Sequence, residues 1–204
     1  MRITLLTASS ESYWPLMEMT LPNKTEYCLR HKYQLAAKVH YKVEPYMVER
    51  EKYMLEELYH CEWLFFMGSD TLITNMTIPL ESVIMTVGKD ADFVVGVDVN
   101  GINNDVLLIR NSVASAEFLR RVIYAKGRFP NDQAGMAAVF GEMPEYKVKK
   151  VHQKIFNAMP YWLYGYPDHK GGMWTQGDFV FHCPGLSMDA RLAVTTEILP
   201  KTIR

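Results

Sequence analysis

Asp70 is the first charged side chain after a continuously apolar, aromatic-rich run, Trp63-Leu64-Phe65-Phe66-Met67, and it follows a break at Gly68 and Ser69. The run reads as a central β-strand buried on both faces. A carboxylate beside a glycine turn at the C-terminal end of such a strand sits where open α/β sheets bind metals and nucleotides. A surface aspartate that merely opens the next loop has the same local pattern. Further along, Asp132 and Gln133 start a helical stretch that reaches about Phe140, with Asn131 or Asp132 as its cap. Asn103, Asn104 and Asp105 follow Gly101 among turn formers. His182 closes a short strand-like run from Phe179. His31, His40, His60, His152 and His169 show no ligand spacing and read as surface or local hydrogen-bonding residues.

At 204 residues the chain can bury a substantial core, and it reads as a single domain over 1–204. Its 49% hydrophobic and 22% charged content is that of a soluble globular protein. A net charge of −1 gives no electrostatic case for nucleic-acid binding. No apolar stretch approaches the roughly 20 residues needed to span a bilayer, so no membrane anchor is expected. Met1 to Thr7 is too short an apolar start for a signal peptide and fits a first strand better. Cys28, Cys61 and Cys183 are odd in number and widely spaced, which argues against a disulfide framework and for a reducing, cytoplasmic setting. With no CxxC pair, a structural zinc site is not expected.

Strand and helix patterns alternate, which predicts an α/β fold. Strands are expected at Ile3 to Thr7, Val39 to Val43, Glu62 to Met67, Phe93 to Val99, Val106 to Arg110, Val148 to Val151 and Phe179 to His182. Helices are expected at Asn23 to Lys38, Arg50 to Tyr59, Ile78 to Val87, Ser112 to Lys126, Asn131 or Asp132 to Phe140, and Ser187 to Ile198. The segment from Asn157 to Gln176 stands apart. Its Tyr161, Trp162, Tyr164, Tyr166 and Trp174, set among glycines and prolines, suit packing on sugar rings or a satellite hydrophobic cluster.

These motifs follow one another in a definite order: Asn23-Lys24-x-x-Tyr27-x-x-x-His31-x-Tyr33, Glu51-Lys52, Trp63 to Asp70, Asn103-Asn104-Asp105, Asp132-Gln133-Ala134, Phe156-Asn157-Ala158, and Gly177-Asp178-Phe179 through His182-Cys183-Pro184-Gly185. The succession resembles glycosyltransferase family 34, the galactosyl-, xylosyl- and α-mannosyltransferases of the GT-A fold, over Asn23 to Gly185. The resemblance implies a Rossmann-like GT-A fold, a central mixed and mostly parallel sheet flanked by helices. It implies a retaining hexosyl- or pentosyltransferase using a nucleotide sugar, UDP-linked in preference to GDP-linked, and a glycan acceptor. In the family a D-x-D motif ends a central strand, matching Gly68-Ser69-Asp70, and Asp70 with His182 would hold Mn²⁺ or Mg²⁺. A carboxylate and an imidazole suit such a cation and leave positions for phosphate oxygens. Asp132 and Gln133 would stabilise oxocarbenium-like charge at the sugar. Donor contacts are expected from Thr7, Ala8 and Ser9 near the base and ribose, and from Lys52, Ser69, Asp70, Asn103, Asp105 and Gly185.

Three departures from the family pattern bear on function. Gly68 stands where the first aspartate of D-x-D is expected. Asp105 stands at a small-residue position and adds negative charge near the sugar. A lysine expected after the His–Gly motif is missing, leaving Arg191 or Lys170 for the phosphates. The loss at Gly68 leaves open a second reading, a degenerate domain that binds a glycan or nucleotide without transfer. A nucleotidyltransferase ranks last, because Leu6 to Glu11 has neither glycine nor a basic residue to cradle a triphosphate.

Overall fold

Alternation of apolar strand runs with amphipathic helices places the strands side by side and the helices on both faces. The computed structural model describes residues 1–40, 48–87, 90–98, 100–125, 127–160 and 171–204. Its strands are β1 (Ile3–Ser10), β2 (Gln34–His40), β3 (Trp63–Gly68), β4 (Thr71–Ile73), β5 (Phe93–Asp98), β6 (Gly101–Arg110), β7 (Val148–His152) and β8 (Val180–His182). Its helices are α1 (Trp14–His31), α2 (Glu49–Leu58), α3 (Leu80–Val87), α4 (Val113–Tyr124), α5 (Asp132–Gly141), α6 (Gln153–Phe156) and α7 (Met188–Ile198). The main sheet has the order β2-β1-β3-β6-β5-β7, and β4 pairs separately with β8. In the main sheet only β6 runs against the others. The mixed, mostly parallel sheet expected from the sequence is therefore present.

β3 is central and wholly buried, as its unbroken apolar run predicts. Its residues alternate between two cores. Phe65 and Met67 pack with Tyr27 of α1, Ile84 of α3 and Phe156 of α6. Leu64 and Phe66 face the other way, toward Met54 and Leu58 of α2, Phe118 of α4 and Met136 of α5. A smaller cluster joins Leu72, Phe181, Trp174, Val194 and Ile198 under the β4–β8 pair.

The largest correction concerns the first helix. It spans Trp14–His31 rather than Asn23 to Lys38, and it carries Pro22 in its interior. An interior proline normally marks a helix boundary, because it lacks the N–H and crowds the preceding turn; here packing overrides it. The helix stops because Lys32 adopts a left-handed conformation, φ 60°, which returns the chain into β2. β2 thus begins at Gln34 instead of Val39, and the rest of the expected Val39 to Val43 strand lies outside the described residues. The three-residue β4 had no counterpart in the sequence reading. Of the aromatic segment, 161–170, including Lys170, lies outside the described residues; Trp174 is buried in the third cluster and donates to Thr74 Oγ1 at 3.0 Å.

Candidate active site at the ends of β1 and β3

Parallel neighbours β1 and β3 end together, at Ser10 and Gly68, and open a cleft of about 360 Å³ beyond their C-terminal edge. Ala8, Ser9, Gly68, Ser69, Asp70, Asp105, Asp132, Gln133, Gly185 and Arg191 line it. Gly185 holds φ +71°, a turn conformation that favours glycine.

The Gly68–Thr71 turn is pinned from below. Lys24 Nζ and Thr71 Oγ1 donate to the Gly68 carbonyl at 2.9 and 2.7 Å, Thr20 Oγ1 to that of Ser69 at 2.9 Å, and Cys183 N to that of Asp70 at 3.2 Å. β4 then pairs antiparallel with β8, with Thr71 opposite His182. That register sets Asp70 beside His182, whose Nε2 lies 3.4 Å from Asp70 Oδ1 and 3.6 Å from Asp105 Oδ2. One ligand atom from each of the three residues lies within 4.8 Å of the others.

A relay orients the imidazole. Asp98 Oδ2 accepts from Asn103 Nδ2 at 3.1 Å and from Asn157 Nδ2 at 3.0 Å. The second bond turns Asn157 Oδ1 toward His182 Nδ1, which donates to it. His182 Nε2 is left fully buried without a hydrogen-bond partner, facing two carboxylates. A proton or a cation completes such an arrangement, and a carboxylate–imidazole donor set suits Mn²⁺. Burial works against charge on His182, but Asp70 and then Asp105 raise its pKa. Burial likewise opposes ionisation of Asp70, yet His182 and Arg191 hold its carboxyl well below the usual carboxylate range. Arg191 Nη1 donates to Asp70 Oδ2 at 2.6 Å, and the guanidinium lies over the Tyr13 ring.

A second charge cluster centres on Arg50, the first turn of α2. Its guanidinium meets Glu51 Oε1 at 3.0 Å, Asp105 Oδ1 at 2.7 Å, and Asp132. Asn131 takes the cap of α5, accepting from Ala134 N at 2.8 Å. Asp132 is thereby available to face the cleft and Arg50. Gln133 Nε2 donates to the Ile102 carbonyl at 2.8 Å.

Three expected donor contacts fall outside this lining. Thr7 is fully buried and donates to Met17 Sδ at 3.6 Å. Asn103 sits behind the cleft, holding Asp98. Lys52 is on the outer face of α2, half exposed and 3.6 Å from Glu49. Arg50, not Lys52, is the helix's cation in the cleft. The signal was present in the sequence: Arg50, Met54 and Leu58 share one helical stripe, and Lys52 is off it. Tyr13, His40 and Asn104 also line the cleft and were not anticipated.

Lys24, fully buried under the turn, carries a testable consequence. Burial pushes its ammonium down to about 7, against the upward pull of Asp70. An unfolded lysine titrates at about 10.4. Between those values the unfolded chain binds more protons than the folded one, so this residue makes stability rise with pH from about 7 to about 10. Lys24→Met is expected to raise the urea midpoint at pH 7 and to flatten that rise. A variant no more stable than the parent at pH 7, with the same pH slope, would contradict this.

The model of the galactosyl transferase GMA12/MNN10 family matches residues 2–89, a stretch that includes the Gly68–Asp70 turn. No curated protein sequence matches the chain. Among solved structures, a glycosyltransferase involved in glycosylation of the major capsid of PBCV-1 superimposes with a TM-score of 0.79 at 18% identity, over 97% of this chain and 100% of the other. The fold is that of the GT-A glycosyltransferases. The galactosyltransferase LgtC, solved with donor and acceptor sugar analogues, has a TM-score of 0.56 at 12% identity, covering 96% of each chain. Mouse xyloside xylosyltransferase 1 has a TM-score of 0.55 at 10% identity, over 91% of this chain and 98% of that one. The chain therefore has the GT-A fold, and its residues 2–89 resemble the GMA12/MNN10 family, with the cleft at the strand ends where such sheets bind ligands. No helix among the described residues is long and apolar enough to cross a membrane.

Proposed function

We propose that this chain is a metal-dependent, retaining glycosyltransferase that moves a hexose or pentose from a UDP-linked donor to a hydroxyl of a glycan acceptor. The observation that carries this reading is the His182 Nε2, buried behind the cleft without a hydrogen-bond partner and facing the cleft-lining Asp70. Asp70 and His182 would hold a divalent cation, which would supply positive charge against the donor's diphosphate and the departing nucleotide. Arg191, already in the cleft, supplies a guanidinium for the phosphates when the donor competes for it with Asp70. Ala8 and Ser9, on the β1 side, form the floor for base and ribose. Asp132 and Gln133, on the opposite wall, face the sugar, where a carboxylate and an amide stabilise developing positive charge. With residues 1–204 acting as one domain, the three buried free cysteines suit work in a reducing compartment such as the cytoplasm.

Calorimetric titration of UDP and of GDP, each with Mn²⁺ and again with EDTA, tests the reading. UDP is expected to bind with Mn²⁺ and to weaken at least about tenfold in EDTA. Absence of binding by both nucleotides in Mn²⁺ would overturn it and leave a degenerate domain.

A further inference from the structure

We infer that Asp105 is the displaced first carboxylate of the metal motif, moved from β3 to the neighbouring β6, where it stands beside position 68. The inference rests on the proposed metal site and specifies its third protein ligand. The β3–β6 ladder ends with Met67 opposite Val106, so Gly68 and Asp105 are the next residues on each strand, side by side at the cleft. A Cβ placed on Gly68 would lie 3.1 Å from Asp70 Oδ1, 3.4 Å from Asp105 Oδ1 and 3.5 Å from Asp105 Cβ. Such a Cβ would crowd Asp70 Oδ1 and stand in van der Waals contact with Asp105, so a carboxylate at 68 and the Asp105 carboxylate would project into the same corner of the cleft. Glycine there is the counterpart of an aspartate across the ladder, not the loss of a ligand.

Local structure sets this aim. Opposite the step from Val95 to Gly96, the β6 partner jumps from Leu107 to Asn103. Residues 104–106 consequently have no partner on β5, and β6 carries an irregularity there. The Asp105 N–H donates to Asn103 Oδ1 at 3.0 Å, which fixes this irregularity. Arg50 Nη1 holds Asp105 Oδ1 at 2.7 Å and leaves Oδ2 directed at His182 Nε2, 3.6 Å away. One oxygen is anchored and the other completes the group with Asp70 and His182.

The test is Mn²⁺ binding followed by electron paramagnetic resonance, with UDP present, on the parent, Asp105→Gly, and the double variant Gly68→Asp/Asp105→Gly. Circular dichroism and thermal melting confirm folding of each. Asp105→Gly is expected to bind Mn²⁺ at least about 100-fold more weakly, and the double variant to recover to within about tenfold of the parent. Gly68→Asp alone, which crowds Asp70 Oδ1 and adds a third carboxylate beside Asp70 and Asp105, is expected to melt lower than the parent and to gain no affinity. A folded Asp105→Gly that binds Mn²⁺ like the parent overturns the assignment of Asp105 as a ligand. A folded double variant that recovers nothing overturns the exchange of positions. A parent that binds no Mn²⁺ at all sinks the metal-site reading itself, and this inference with it.

Discussion

Asp70→Asn is expected to bind UDP in Mn²⁺ no better than in EDTA, at least about 100-fold more weakly than the parent in Mn²⁺, and to lose at least about 10³ in kcat/KM. The substitution keeps size and removes charge. In the native cleft Asp70 Oδ1 faces His182 Nε2 at 3.4 Å and Oδ2 accepts from Arg191 at 2.6 Å. With its oxygen still accepting from Arg191, an amide would turn its NH₂ end to His182 Nε2 and offer no oxygen to a cation there. Its neutral oxygen is also a poor ligand beside an imidazole. Asp70→Ala would add a second effect, leaving His182 and Arg191 without their buried counter-charge, so the asparagine variant separates binding from stability. The measurement is the same calorimetry, with unfolding curves alongside. An Asp70→Asn protein that binds UDP with parental affinity in Mn²⁺, and loses it in EDTA, removes Asp70 from the site.

The second large effect concerns the fold. Arg50→Met is expected to destabilise the protein by about 3–5 kcal/mol at pH 8, the range for breaking a buried ion cluster by deleting one partner. Arg50 is the cation shared by Glu51, Asp105 and Asp132, and Glu51 is completely buried. Burial already pushes the Glu51 carboxyl up to about 7, even with Arg50 beside it. A carboxyl whose folded pKa lies above its unfolded one favours the fold at low pH, and that advantage is lost as pH rises through the folded value. Without the guanidinium the folded value rises further. The deficit of Arg50→Met is therefore expected to shrink toward pH 5.5 and to be full at pH 8, read by urea unfolding at each pH. A deficit below about 1 kcal/mol at pH 8, or one that does not change with pH, would show that the cluster is dispensable.

How much of this was legible in the sequence follows from the range over which each feature is encoded. Central β3 was readable because an unbroken apolar run is a local signal, and the start of α4 at Ser112 because the serine side chain reaches its own helix. α1 was misjudged because Pro22 is a local stop signal that tertiary packing overrules. β4 was too short to show any period. Asp70, His182, Asp132, Gln133 and Arg191 were named from motif order, and all of them meet at one cleft except His182, which lies buried behind it. The pairing of Gly68 with Asp105 was not legible, since it depends on an irregularity in β6 and a register between antiparallel strands. The relay through Asp98, Asn157 and Asn103 was hidden likewise, because its members come from different elements. Arg50 could have been preferred to Lys52 from helical phase alone.

The β4–β8 ladder is only three residue pairs long, yet across it Asp70 meets Arg191, 121 positions later. The entropy of closing so long a loop grows only logarithmically with its length, so what limits closure is how few contacts reward it. Among the described residues, the main sheet uses none after His152. A chain emerging from the ribosome can therefore assemble that sheet while the histidine and arginine are still being synthesised. Competence arrives last, in one step, when the C-terminal strand folds back. Nascent and prematurely terminated chains would hold the scaffold without the His182 and Arg191 that the proposed site needs.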